Sequence, residues 1–203
     1  MRPCLTIEGV TTYRLDEMPP AESYAMLTRV VQPRPIAFAS TLGSNGVANL
    51  APFSFFMAGG SNPPSLCFSP VLGGGGVEKD TLRNIRETGE FTVNAVDHAM
   101  AEGMNRASAA LAPEESEWEP SGFTPLASEI VGPARVAESP AQMECRLFAI
   151  LEHGAGPTAA RYVVGEIVRL HLRDGDYETI ARLGGPDYLD TLTGKRFSLA
   201  RPS

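Results

Sequence analysis

At 203 residues, with 20 glycines and 17 prolines, the chain is long enough for one domain with a substantial core, and its turn-rich composition favours short strands over long helices. The formal net charge is −7 and the basic residues are scattered, which excludes the basic stripe of a nucleic-acid binder. No apolar run reaches membrane-spanning length and the N-terminal residues lack the apolar core of a signal peptide, so a cytoplasmic protein without a membrane partner is expected.

Cys4, Cys67 and Cys145 are odd in number and far apart, a pattern of reduced thiols and not of a disulfide framework. His98, His153 and His171 show no ligand spacing, and no metal site is expected.

The segment to Pro20 alternates weakly through Leu5, Ile7 and Val10 and reads as a first strand. From Ala21 to Val31, apolar residues at helical spacing predict a short helix that Pro33 and Pro35 stop. Pro33-Arg34-Pro35 forces an extended backbone that holds Arg34 at the mouth of the next strand, facing a phosphate, a carbonyl or solvent.

Ile36 to Leu42 and Val47 to Phe53 flank Gly43-Ser44-Asn45-Gly46 and predict a β-hairpin. Its alternation of Ala37, Ala39, Ala48 and Ala51 with Ser40, Thr41, Asn49 and Ser54 suits a flat, polar-edged ligand better than a core made only of large branched residues. A loop through Gly59-Gly60 and Pro63-Pro64 then precedes a short strand, Ser65 to Ser69.

Gly73 to Gly76 opens a second loop, followed by a helix over TLRNIRET that Gly89 ends and that Asp80 or Thr81 can cap. With Lys79 and Thr81 in its first turn, this start reads either as a phosphate site or as a loop before an ordinary capped helix. The spacings of a P-loop and of a dinucleotide fingerprint are both missing.

Phe91 to Val96 predicts a strand and Asp97 caps a helix running toward Ala109. The four glutamates of PEESEWEPSG read as a solvated segment anchored by Trp118, not as paired acid and base catalysts. Two long strands follow, Gln142 to Glu152 and Tyr162 to Leu172, the second with Tyr162, Val164, Val168, Leu170 and Leu172 on one face. An Arg173-to-Asp176 turn and a closing segment with a Leu183-to-Pro186 loop complete a mainly β chain, expected to be a β-barrel with short helices.

The ordered series PRPIAFASTLGSNGVANLAPFSFF, NPPSLCFS, KDTLRNIRETGEFTVN, ESPAQMECRL, VVGEIVRLHLRDG and RLGGPDY resembles the flavin reductase-like family of the FMN-binding split-barrel superfamily. The resemblance spans about Tyr24 to Tyr188. It implies a single FMN-binding domain over residues 1–203, a homodimer, and FMN near the subunit interface. By the same resemblance, Ser40 and Thr41 at the end of the first hairpin strand, and Asn49, Leu50, Ala51 and Ser54 on its return, hold the flavin. Lys79, Asp80 and Thr81 match the family's KDT motif and imply a site for the FMN phosphate, to which Ser69 adds a hydroxyl. Arg34 is a candidate for the phosphate or the pyrimidine edge.

Some relatives carry a histidine four residues before the glycine matching Gly165, near the nicotinamide, where this chain has Arg161. Arg161 and Tyr188 are therefore candidate substrate contacts. The implied activity is an NAD(P)H-dependent flavin oxidoreductase that takes hydride from NADH or NADPH onto FMN for an unidentified acceptor, with no protein nucleophile, acid or base. The alternatives are an FMN-binding electron-transfer or storage protein without nicotinamide turnover, and a purely structural role for both motifs.

Overall fold

A computed structural model describes residues 9–175, 178–200 and 202. Helix α1 (Pro20–Val30) leads into β1 (Arg34–Pro35), β2 (Ala37–Leu42), β3 (Ala48–Phe53), β4 (Phe56–Ser61) and β5 (Pro64–Phe68). Helix α2 (Asp80–Thr88), β6 (Glu90–Asn94), α3 (Ala101–Arg106) and α4 (Trp118–Ser121) follow. Strands β7 (Pro125–Leu126), β8 (Arg135–Val136), β9 (Ala141–His153), β10 (Ala160–Leu172), β11 (Ile180–Gly184), β12 (Asp187–Asp190) and β13 (Arg196–Ser198) complete the described chain. Leu5 and Ile7, and Asp176 of the expected turn, lie outside the described residues.

Seven strands form an antiparallel sheet in the order β3-β2-β6-β9-β10-β5-β4, and β1-β11-β12-β13 form a second sheet. Strand β2 is buried on both faces. Ile36, just before it, and Phe38 enter a core with Leu50, Met104, Trp118 and Tyr188. Ala37 and Ala39 face the other core, where Phe68, Phe91, Leu82 and Ile85 pack. The small residues of this strand thus make room for aromatic rings and for α2, since interiors pack at crystal-like density.

Helix α2 is amphipathic, with Leu82 and Ile85 buried. Gly89, at φ 71°, ends it in the left-handed conformation that glycine adopts without strain. Neither Asp80 nor Thr81 caps it, contrary to expectation: Lys79 occupies the N-cap position and provides no side-chain cap. The Asp80 carboxylate pairs instead with Arg83 at 2.6 Å, and Thr81 Oγ1 accepts from Asn49 Nδ2 at 2.8 Å.

The Gly59-Gly60 stretch, expected as loop, belongs to edge strand β4. A Cβ at Gly59 would stand 2.6 Å from Ser65 Oγ and 3.2 Å from the Ser65 carbonyl oxygen, so the close β4–β5 approach favours glycine there. Asp97 accepts the Met100 N–H at 3.0 Å, but the helix starts later, at Ala101.

Strand β10 buries Arg161, Val163 and Gly165, while Tyr162, Leu170 and Leu172, together with Phe148 and Leu151 of β9, are open to solvent. At Gly165 a Cβ would meet the Phe91 ring at 2.3 Å, next to a register shift between Val164 and Gly165. Behind β9, the fully buried Glu144 accepts the N–H groups of Glu129, Ile130 and Val131, with His171 Nε2 at 2.8 Å. Burial opposes its ionisation, but those donors hold the carboxyl at about 2.

Candidate functional site

The β2–β3 register places Thr41 opposite Asn49, and both side chains bond to α2. Asn84 Nδ2 donates to Thr41 Oγ1 at 3.1 Å, one helical turn beyond the Asn49–Thr81 bond. The hairpin therefore fixes the start of α2, where the first N–H groups have no intrahelical acceptor.

Two clefts open beside this start. The first, of about 410 Å³, takes its walls from α1, from Pro52 to Phe55, and from Ser69, Lys79, Ser108 and Arg182. The second, of about 330 Å³, lies among Asn49, Ala51, Asp80, Thr81, the 107–111 segment and Glu117. Pro52, Phe53, Lys79, Ser108 and Ala110 border both clefts. The Lys79 ammonium stands 5.2 Å from the centre of the Phe53 ring, within cation–π range.

Of the residues singled out from the sequence, Arg34, Ser54, Ser69 and Lys79 line the first cleft, and Asn49, Ala51, Lys79, Asp80 and Thr81 the second. Ser40, Thr41 and Leu50 are buried and line neither. Arg34 Nη1 donates at 2.6 Å to the carbonyls of Thr28 and Val31 near the end of α1.

Arg161 lines neither cleft. Its Nη1 donates to the carbonyls of Ala160 at 2.8 Å and Gly154 at 3.3 Å, and its N–H donates to Ser69 Oγ at 3.2 Å. Tyr188 is buried, stacked on Phe197 with ring centres 5.4 Å apart, and accepts from Arg182 Nη1 at 2.6 Å. It stands behind the cleft wall and orients the arginine on that wall.

Glu117 and Arg182 are site residues that sequence reasoning missed. Glu117, within the supposedly solvated acidic run, is buried and accepts the Leu50 N–H at 3.0 Å. Burial pushes its carboxyl up; the Leu50 N–H opposes this and Asp80 adds to it. Trp118, the one aromatic side chain of the run, is the local signal that this segment is anchored inward. Arg182 stood in the quoted RLGGPDY motif without a role.

A phosphate monoester fits the shared border. Helix α2 begins there without a side-chain cap, Lys79 supplies positive charge, and Ser54 and Ser69 bring hydroxyls to the adjoining cleft.

The mainly β antiparallel architecture with short helices is that of the flavin reductase-like split barrels. Residues 30–189 match the model of the flavin reductase like domain, and the chain belongs to that family. Nitrilotriacetate monooxygenase component B from Bacillus cereus is 33% identical and superposes with a TM-score of 0.85, over 95% of this chain and 100% of that one. The 2-nitrobenzoate 2-nitroreductase NbaA from Pseudomonas fluorescens is 31% identical with a TM-score of 0.79, over 95% and 97% of the two chains. An uncharacterized protein of Halalkalibacterium halodurans is 38% identical over 93% of this chain and 95% of its own. Among the described residues no helix is long and apolar enough to cross a membrane, and no cluster of possible metal ligands occurs.

Proposed function

We propose that the chain binds FMN along the joined clefts and acts as an NAD(P)H-dependent flavin oxidoreductase, with residues 1–203 forming one FMN-binding domain. The observation that carries this reading is the uncapped start of α2 beside Lys79, on the border shared by two clefts. Bound FMN would supply the redox chemistry, accepting hydride from NADH or NADPH and passing electrons to an acceptor.

The chain's own part is binding and orientation. Lys79 and the first N–H groups of α2 balance the phosphate, and Asn49 holds Thr81 so that this helix start keeps its place. Ala51, with no side chain beyond Cβ, lets a flat ring approach β3, and the hydroxyls of Ser54 and Ser69 reach polar atoms of the bound group. Glu117 lines the second cleft, and burial raises its carboxyl above the usual range. No side chain is assigned as acid or base.

Leu151 and Tyr162, paired across β9 and β10, and the neighbouring Phe148 are exposed apolar side chains, surface of the kind that a homodimer interface would cover. The monooxygenase component and nitroreductase named among the relatives support a redox role with either a partner oxygenase or a small molecule as acceptor.

Anaerobic mixing of the FMN-loaded protein with each nicotinamide tests the reading: bleaching of the flavin absorbance is expected. Arg161, whose guanidinium is turned onto carbonyls outside both clefts, favours a second reading, an FMN-binding electron-transfer or storage protein. Retained FMN with no bleaching by either nicotinamide would select that one.

A further inference from the structure

The first cleft is walled by three cations, Arg34, Lys79 and Arg182, and by no carboxylate among the described residues. Arg34 is only 4% exposed. Its Nη1 is spent on the Thr28 and Val31 carbonyls and its Nε reaches Ser54 Oγ at 3.4 Å, which leaves Nη2 without a hydrogen bond among the described residues. Burial lowers its basicity; Tyr24 opposes the effect and Arg182 adds to it.

Arg182 is fixed in a similar way. Its Nη1 donates to Tyr188 Oη at 2.6 Å and its Nη2 to the Gly185 carbonyl at 2.5 Å, while the guanidinium lies 4.7 Å from the centre of the Tyr188 ring. Neither arginine forms an ion pair among the described residues. Both heads are thus oriented by neutral groups, which aim the charge without cancelling it. Two such charges on one wall repel each other, and an anion between them removes that cost.

The wall beside them is aromatic. Tyr24 and Phe55 meet edge to face with ring centres 5.6 Å apart, and Arg34 lies 5.9 Å from the centre of the Phe55 ring. The N–H groups that these bonds leave on the two guanidiniums can each meet an oxygen of a carboxylate, and the aromatic edge suits a flat apolar body.

We infer that Arg34 and Arg182 form an anion subsite of the first cleft that takes the carboxylate of a small aromatic or apolar electron acceptor. This assignment of acceptor class rests on the flavin reading above; the subsite itself does not. The phosphate of FMN is left to Lys79 and the start of α2.

Calorimetric titration with benzoate and with benzamide, its neutral counterpart of the same shape, tests the subsite on flavin-free and FMN-loaded protein. Benzoate is expected to bind about tenfold or more tightly than benzamide, the scale of one charge-assisted hydrogen bond. Arg182→Gln should bring benzoate down to the benzamide level on flavin-free protein, and Arg182→Lys should keep part of the preference. Equal binding of benzoate and benzamide, or benzoate binding insensitive to Arg182→Gln, would overturn the subsite. Loss of FMN affinity in Arg182→Gln, with benzoate competing against FMN, would assign the arginines to the FMN phosphate and overturn it as an acceptor site. Failure of the flavin reading has its own signature: wild-type protein that binds no FMN yet still prefers benzoate. Should circular dichroism find Arg182→Gln unfolded, the wild-type benzoate preference and the Arg182→Lys variant decide.

Discussion

Asn49 Nδ2 donates to Thr81 Oγ1 across 2.8 Å, with both residues buried, so the hairpin edge and the helix start move as one body. Thr81→Val keeps the shape of the side chain but removes the acceptor. The variant should lose about 1–3 kcal/mol in urea unfolding, the cost of stranding a buried amide donor, and should bind FMN more weakly. Thr81→Ser should restore both. Unchanged stability in Thr81→Val would mean that the bond is not formed in solution.

Two buried glutamates give opposite pH dependences. Glu144, held at about 2, stands below its unfolded value of about 4.3. Its stabilisation is present above that value and is lost as the pH falls toward 2. Glu144→Gln should cost about 3 kcal/mol at neutral pH, because a buried charge-assisted cluster is broken, and should flatten the acid limb of a stability profile.

Glu117 is raised instead. Its contribution is present below the unfolded value and is lost as the pH rises through the folded one, so it destabilises the fold when ionised. Glu117→Gln can still accept the Leu50 N–H and should gain stability at pH 7. It should also tighten FMN binding, measured by quenching of flavin fluorescence, because a carboxylate leaves the cleft lined by Lys79 and Thr81.

The exposed apolar side chains of β9 and β10 carry the prediction about assembly. Phe148 is 77% exposed, and Phe148→Asp should shift sedimentation from dimer to monomer without altering the circular dichroism spectrum. A wild-type protein that sediments as a monomer would leave those side chains without the proposed role.

Gly165→Ala should destabilise by about 1–3 kcal/mol, the usual cost of overpacking, since the new Cβ would meet the Phe91 ring at 2.3 Å. Adding Phe91→Leu should recover part of that loss, and this non-additivity would identify the contact.

The hairpin was legible because its Gly43-to-Gly46 turn and flanking apolar runs are local signals, and the observed strands, Ala37–Leu42 and Ala48–Phe53, follow them closely. The start of α2 was legible for the same reason, from a glycine-rich loop at one end and Gly89 at the other. Strand β4 was not, because Gly59 and Gly60 carry a loop signature in sequence, and the close approach of Ser65 to Gly59 is visible only in the fold. Asp80 and Thr81 looked like caps until partners distant in sequence or one turn ahead, Asn49 and Arg83, claimed their oxygens.

Glu117 was misread because an acidic run is ordinarily solvated, and nothing near it in sequence announces the Leu50 N–H that draws it inward. Arg182 and Tyr188 were quoted together in one motif, but their hydrogen bond, which turns the arginine toward the cleft and keeps the tyrosine behind it, depends on the β11–β12 pairing.

The missing side chain at Gly165 also bears on curvature. Phe91 belongs to β6 and Gly165 to β10, with β9 between them, so one ring spans three strands and rests on bare backbone. A glycine covered by an aromatic ring beside a bulge is a device that bends a sheet. The coil of this sheet is therefore written partly as an absence of atoms, and a single methyl group at residue 165 would press it toward flatness. Because β5 pairs with β10 at Gly165 and leads directly to Ser69, such flattening would be transmitted to the mouth of the first cleft.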